Sequence, residues 1–288
     1  MIEKLNNLYN KSKRIKIDDN TKIVIMSDCH RGKGNNYDNF LKNRNIYNAA
    51  LNYYYNNDYT YIELGDGDDM WEVKEYQNII NEHINTFNIL KKFNDSNRLI
   101  MIYGNHDIVK KDEGILSNYF YYYKTSELLN NLKVYESIIL EYNNHDLFLL
   151  HGHQVDILSG MFWKLARFLV RYLWRPLEHL GIHDPTSAAG NNIVRNKIEK
   201  RLKKWTVNNK KILISGHTHR AIYPEVGKSL YFNDGSCIHP NGISCLEIEN
   251  GCITLVKWYL DLEDEKYITA KRKIIAGKEN INNFFSIT

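Results

Sequence analysis

Five short apolar runs in this chain each hand over to a loop that carries Asp, Asn or His. Lys22–Ser27 runs into Asp28-Cys29-His30, and Tyr61–Leu64 into Gly65-Asp66. Leu99–Tyr103 runs into Gly104-Asn105-His106-Asp107, Leu147–Leu150 into His151-Gly152-His153, and Lys211–Ile214 into Ser215-Gly216-His217-Thr218-His219. Runs of this length, rich in β-branched residues and bounded by glycine-containing loops, read as buried strands. Each one delivers a ligating side chain at its C-terminal end. Helical patterns separate the first three: Asp38–Asn56, and Glu75–Phe93 with Tyr76, Ile80, Ile84, Phe87 and Leu90 at helical spacing. The order β-α-β-α-β argues for an α/β layered core, whose sites form outside the carboxyl ends of the strands. After His219 the pattern turns β-rich, with Ser229–Phe232, Ile243–Glu249 and Cys252–Leu260 alternating like hairpin strands.

A chain of 288 residues with 43% hydrophobic content supports one sizeable core, and residues 1–288 are read as one domain. The even spread of apolar segments and 25% charged residues exclude wholesale disorder. The four cysteines show no paired spacing, which fits a reducing compartment. Asn250-Gly251 reads as a two-residue hairpin turn that sets Glu249 opposite Cys252 and Cys245 opposite Val256, which argues against a Cys245–Cys252 disulfide. Met1–Asn20 is polar and unlike a secretory signal, and no apolar run reaches the ~18 residues of a membrane span. A cytoplasmic location is expected.

The net charge of +4 is unevenly distributed. Asp156–Trp205 holds ten Lys/Arg against four Asp/Glu, so this segment is +6 and the remainder −2. The segment interrupts the strand rhythm and reads as a helical insertion, 156–205. In its first helix Lys164, Arg167, Arg171 and Arg175 form a stripe beside a wide apolar face of Leu158, Met161, Leu165, Phe168, Leu169, Tyr172 and Leu173, and Pro176 ends or kinks it. In its second, Val194, Ile198, Leu202 and Trp205 make a narrow apolar stripe on a very basic helix. Such helices are either packed surface elements or contacts for a membrane or amphipathic ligand. Tyr119–Tyr123 could stack on nucleic-acid bases, although packing is the simpler reading.

The loops offer carboxylate, amide and imidazole groups rather than thiolates: Asp28, His30, Asp66, Asn105, His151, His217 and His219. Divalent ions of hard and borderline character take such ligands. Two ions ~3.5–4 Å apart, holding the attacking and leaving oxygens of a displacement, need one bridging ligand and a separate set on each side. Asp28/His30 and His217/His219 at i and i+2 of an extended loop would each face one centre. His83, His145, His179, His183 and His239 read as ordinary core or surface histidines, Asp68 as a loop carboxylate and Cys29 as packing. His153 either lines the pocket or bonds a loop.

Asp28-x-His30, Gly65-Asp66-x-x-Asp69, Gly104-Asn105-His106-Asp107, His151-Gly152 and Gly216-His217-x-His219, in this order, resemble the calcineurin-like metallophosphoesterase family. Asn233-x-Gly235-Ser236 is similar to the family's closing strand region. The resemblance implies a four-layer αββα sandwich of two mixed sheets. It implies that Asp28, His30, Asp66 and His219 hold one metal and that Asp66, Asn105, His151 and His217 hold the other, with a hydroxide between them as nucleophile. Mn is the first expectation; Fe, Zn and Mg also suit these ligands. His106 would contact substrate and stabilise or protonate the leaving oxygen, Asp107 would orient His106, and Asp69 would support the ligands from behind. Arg31 beside the metals could bind phosphate, as could Asn105.

Ser27-Asp28-x-His30, Gly65-Asp66-x-x-Asp69-x-Trp71-Glu72 and the helical insertion are similar to the UDP-2,3-diacylglucosamine hydrolase branch, where a helical cap binds acyl chains. His153, where many members carry Asp, and Cys29-His30-Arg31-Gly32 depart from it. The expected activity is hydrolysis of a phosphate ester or pyrophosphate on a small or amphipathic, lipid-linked substrate, with Arg167 and Arg171 attracting its phosphates and peripheral membrane contact through the insertion. The alternatives are a phosphoprotein phosphatase and a nuclease; nucleic acid is the weaker partner expectation.

Overall fold

The computed structural model describes residues 2–112, 132–157, 160, 162–174, 190–263 and 267–285. Its helices are α1 (Ile2–Lys11), α2 (Arg44–Asn56), α3 (Tyr76–Glu82), α4 (Ile84–Asp95), α5 (Trp163–Leu169) and α6 (Asn192–Asn209). Its strands are β1 (Lys13–Lys16), β2 (Ile23–Met26), β3 (Thr60–Leu64), β4 (Leu99–Ile102), β5 (Val134–Tyr135), β6 (Ser137–Tyr142), β7 (His145–Leu150), β8 (Ile212–Ser215), β9 (Tyr231–Asn233), β10 (Ile243–Glu249), β11 (Cys252–Glu263) and β12 (Tyr267–Asn280). They form a five-stranded sheet, β1-β6-β7-β8-β9, and a seven-stranded sheet, β12-β11-β10-β2-β3-β4-β5. Both are mixed: β2 to β5 run parallel beside an antiparallel β10-β11-β12 meander, and β7, β8 and β9 run parallel beside an antiparallel β6.

Side-chain alternation decides which layer each strand meets. Ile23 and Ile25 of β2 enter the cluster between the sheets, with Ile62 and Leu64 of β3, Leu147 and Leu149 of β7, and Ile212 and Ile214 of β8. Val24 and Met26 point the other way, to Tyr47, Ala50 and Leu51 of α2 and Phe87, Leu90 and Phe93 of α4. Beyond the five-stranded sheet, Phe148, Leu150 and Leu213 pack with Leu5 of α1 and with Ile198, Leu202 and Trp205 of α6. Helix, sheet, sheet, helix is the four-layer sandwich expected. It sets the carboxyl ends of β2, β3 and β4 in one sheet beside those of β7 and β8 in the other.

Some elements differ from expectation. The 38–56 pattern divides into a 3-10 turn, Asn39–Lys42, whose first turn is capped by the Asp38 carboxylate accepting from Phe40 N, and then α2. The 75–93 pattern breaks at His83 (φ −109°, ψ 30°), whose buried ring is turned aside to bond Asp38 Oδ2 at 2.8 Å. The hairpin register is as the Asn-Gly turn dictates: Glu249 faces Cys252, Cys245 faces Val256, Asn250 and Gly251 take φ of 53° and 65°, and all four cysteines are free. His145 stacks on Phe285, centroids 3.8 Å apart. The stripe of α6 is buried in the outer layer, whereas Leu165, Phe168, Tyr172 and Leu173, on α5 and the wide π-turn Val170–Trp174, are exposed. Leu158, Met161, Arg175, Pro176, Tyr119–Tyr123, His179 and His183 lie outside the described residues.

Candidate metal centre

The five loops meet at one edge of the sandwich. Asp28, His30, Asp66, Asn105, His151 and His217 are buried there, and His219 is partly so. Each carboxylate is fixed through one oxygen and presents the other. Asp28 Oδ2 accepts from His217 N (2.9 Å) and Ser27 Oγ (2.5 Å), leaving Oδ1 at 3.0 Å from His219 Nε2 and 3.7 Å from His30 Nε2. Asp66 Oδ1 accepts from His106 N (2.8 Å), leaving Oδ2 at 3.1 Å from His151 Nε2 and 3.8 Å from His30 Nε2. Asp66 Oδ2 therefore lies between the His30 side and the His151 side. Four triads of possible ligands occur among the described residues. Two of them, Asp28-His30-His219 and Asp66-His151-His217, consist of expected metal ligands, His30-Asp69-His106 adjoins them, and the donor atoms of each lie within 4.8 Å of one another.

The backbone reaches this arrangement by local strain. Asp28, His30, Asp66, His217 and His219 all adopt left-handed φ, between 49° and 66°. Non-glycine residues rarely do so, and each such residue costs on the order of 1–3 kcal/mol. Hydrogen bonds over-determine the turns: Asp28 N to Gly65 O (3.0 Å) and His30 N to Asp66 O (2.9 Å). The i and i+2 side chains converge through these turns, and not through the extended alternation expected from sequence. Glycine is required where backbone meets ligand. A Cβ on Gly104 would stand 2.0 Å from Asp66 Oδ1, and one on Gly216 would stand 2.2 Å from Ser27 Oγ.

The chemistry of this donor set fits divalent ions. Asp28 Oδ1, Asn105 Oδ1 and His151 Nε2 are buried without a well-formed hydrogen bond, even though His219 and Asp66 approach two of them closely. Buried polar atoms left in this way call for a partner. His151 Nδ1 lies 2.8 Å from Leu64 O, which selects the tautomer with Nδ1–H donating and Nε2 facing the cluster. Burial opposes charge on Asp28 and Asp66, yet the surrounding imidazoles hold both carboxyls below the usual range. Burial also pushes the His151 imidazole down, but Asp66 and Asp28 outweigh it and raise the pKa to about 10. A field strong enough to keep protons on a buried imidazole is one in which a cation can replace them.

His106 stands beside this centre. Its Nδ1 lies 2.9 Å from Asp69 Oδ1, its ring stacks on Trp71 at 4.3 Å, and it meets the His30 ring nearly at right angles, centroids 4.6 Å apart. Burial would lower its pKa, but Asp69 and Asp66 raise it to about 9. Asp69, not Asp107, is thus the carboxylate at His106. Asp107 is instead spent on backbone: it accepts from Gly104 N (2.7 Å), Gly67 N (3.1 Å) and Asp66 N (3.3 Å), binding the Asp66 and Asn105 loops together. Asp156 supplies a carboxylate oxygen that sequence reading missed, 3.2 Å from His217 Nε2. Its only sequence signal was its place just after His151-Gly152-His153. His153 is buried against this group, and burial beside His151 and His217 pushes its pKa well down.

The expected phosphate contact by Arg31 is corrected by its surroundings. Arg31 is fully buried, pairs with both oxygens of Glu63 (2.8 and 2.9 Å), and reaches Asp68 Oδ1 at 2.6 Å through Nε. Asp68, read as an ordinary loop carboxylate, also takes Lys110 Nζ at 2.6 Å, and Lys110 in turn bonds Asp107 at 2.8 Å. Within this buried network Nε and both terminal nitrogens of Arg31 are taken up by carboxylates. Removing one partner of a buried pair leaves an uncompensated charge, so Arg31→Met should lower folding stability by about 3–5 kcal/mol. Chemical denaturation would read this, and a loss under 1 kcal/mol would contradict it. Arg171 donates to Trp71 O (2.6 Å) and Met70 O (3.0 Å), which ties the 170–174 turn to the loop bearing Asp69. Arg167 lies over the Trp163 ring at 5.1 Å. Glu199 of α6 meets Thr218 Oγ1 (3.2 Å) and Arg220 beside the His217–His219 loop.

The sequence matches the family model described as the calcineurin-like phosphoesterase superfamily domain over residues 21–250. The chain belongs to this family. It is accordingly a phosphoesterase, a hydrolase of a family that generally depends on two metal ions. No curated protein matches the chain. Among solved structures, it is similar to a predicted phosphoesterase from Streptococcus pneumoniae TIGR4 (15% identity, covering 88% of this chain and 97% of that one, TM-score 0.37). It is also similar to an archaeal phosphodiesterase (18% identity, 88% and 100%, TM-score 0.35) and to the cold-active protein-tyrosine phosphatase of a psychrophilic Shewanella (12% identity, 92% and 83%, TM-score 0.41). Likeness at these levels carries no weight for substrate. No helix among the described residues is long and apolar enough to cross a membrane.

Proposed function

We propose that this phosphoesterase uses two divalent ions to hydrolyse a phosphate ester or pyrophosphate bond in a small or amphipathic phosphorylated substrate. The observation that carries the reading is the convergence of Asp28 Oδ1 and Asp66 Oδ2 with the Nε2 atoms of His30, His151 and His219. Asp28, His30 and His219 would hold one ion, Asn105, His151 and His217 the other, and Asp66 would serve both. Manganese is the first candidate; iron, zinc and magnesium also suit the donors. Bound ions would polarise the phosphoryl oxygens and activate water. The chain's own contribution follows from its geometry. The αL turns hold the ligands in place before substrate arrives, and His106, braced by Asp69 and Trp71, presents Nε2–H to the leaving oxygen.

The exposed apolar side chains of 162–174 favour an amphipathic substrate, of the kind handled by the UDP-2,3-diacylglucosamine hydrolase branch. Phe162, Leu165, Phe168 and Tyr172 are each about half exposed, and Arg171 tethers this segment to Met70 and Trp71, next to His106. A hydrolysis screen over phosphomonoesters, phosphodiesters, phosphopeptides, nucleic acids and acylated nucleotide-sugar pyrophosphates, with Mn, Fe, Zn and Mg in turn, tests the proposal. Preference for the acylated substrate supports it. Preference for nucleic acid with a steep salt dependence supports the nuclease alternative and contradicts it. Releasing the tether gives a sharper test. Arg171→Ala should raise KM for an acylated substrate by about tenfold, the value of a charged hydrogen bond, and should spare turnover of a small phosphomonoester. Equal KM values in variant and wild type would contradict the assignment.

A further inference from the structure

A cavity of about 490 Å³, lined by none of the metal-site residues, opens between the 3-10 turn before α2, the loop before β10 and the β11-β12 hairpin. Lys42, Lys257 and Lys273 line it without an acidic residue, alongside Asn43, Ile46, Pro240, Tyr259 and Leu260. Lys257 and Lys273 stand directly opposite each other across the β11-β12 ladder. Like charges placed so repel and destabilise the pair. Among the described residues none forms an ion pair with any of the three lysines, although Lys271, two positions from Lys273, pairs with Asp261. The wall is built rather than accidental. Asn43 is buried and donates to Cys237 O (2.9 Å) and His239 O (2.7 Å), and His239 Nε2 is fixed on His219 O (2.6 Å), so the 237–242 loop is held from both sides. Gly242, at φ +125°, brings that loop close enough that a Cβ there would lie 3.1 Å from Lys257 Cε, which lays the Lys257 stem along the wall.

We infer that this cavity is a binding site for a small phosphate-bearing ligand with an apolar part, formed by residues other than those of the metal centre. Three ammonium groups with no ion pair among the described residues provide charge-assisted donors to a phosphate dianion, whose charge removes the cross-strand repulsion. Ile46, Tyr259, Leu260 and Pro240 offer apolar surface to the remainder of the ligand. The site does not use the metal ligands, so it stands or falls independently of the proposed substrate.

Equilibrium dialysis of the metal-loaded protein against labelled inorganic phosphate, compared with Lys257→Gln/Lys273→Gln, tests the inference. Wild type should show one more saturable site than the double variant, and Lys42→Gln should weaken that site by about tenfold or more. The double variant should retain wild-type hydrolysis of a phosphomonoester in phosphate-free buffer, which shows that the fold and metal centre are intact. Phosphate should also raise the Tm of wild type more than that of the double variant. Equal site counts and equal Tm shifts in the two proteins would overturn the inference.

Discussion

Asp66→Asn should abolish measurable hydrolysis while leaving a folded protein. The substitution keeps the shape of the side chain, and its amide oxygen can still accept from His106 N at the 2.8 Å position. What it removes is the full negative charge and the second equivalent oxygen between His30 and His151, 3.8 and 3.1 Å away. If Asp66 serves both ions, both lose affinity together, so the expected loss is at least that of a ligand shared by the whole centre, about 10³-fold or more in turnover. Circular dichroism should be unchanged, and metal analysis should show fewer than two ions per chain. Two retained ions with near wild-type turnover would remove Asp66 from the bridging position.

His106→Ala separates substrate chemistry from metal binding. His106 touches the centre through an edge-to-face contact with the His30 ring and is held by Asp69 Oδ1 at 2.9 Å and by Trp71. Its expected task is to donate a hydrogen bond or proton to the leaving oxygen, an effect typically worth about 10²–10⁴-fold. Turnover should fall within this range with metal content unchanged. The loss should be smaller for substrates whose leaving group is already acidic, because they need no proton. A lost ion, or an equal loss for good and poor leaving groups, would show that His106 is a ligand or a packing residue instead.

The parts of this protein legible in its sequence are those where local pattern and chemistry coincide. The five buried strands were visible because each is a short apolar run, and the hairpin register because Asn250-Gly251 admits few turns. Ligating residue types were visible because they follow those strands directly. Long-range electrostatics was not. Arg31 directly follows the ligand-type residue His30 in sequence, yet its guanidinium turns into a pocket formed by Glu63 of β3 and Asp68 of the loop after it, so its neighbours in space decided its role. Asp69 and Asp107 are both near His106 in the fold, and only the folded distances show which one holds the ring. Left-handed φ at Asp28, His30, Asp66, His217 and His219 was not legible, because Asp and His stand there for their chemistry and are also among the residues that adopt this region more readily than most. The polar edge strand β1 and the exposed β12 lacked the apolar periodicity that reveals buried strands.

The central claim is that hydrolysis depends on two ions held by these loops. Stripping the purified protein with a chelator, then restoring Mn²⁺ stepwise while measuring both bound metal and phosphoester hydrolysis, tests it most directly. Activity should vanish on stripping and return to a plateau as bound manganese reaches two per chain. Undiminished hydrolysis by the stripped protein, or full activity with no ion bound, would contradict it.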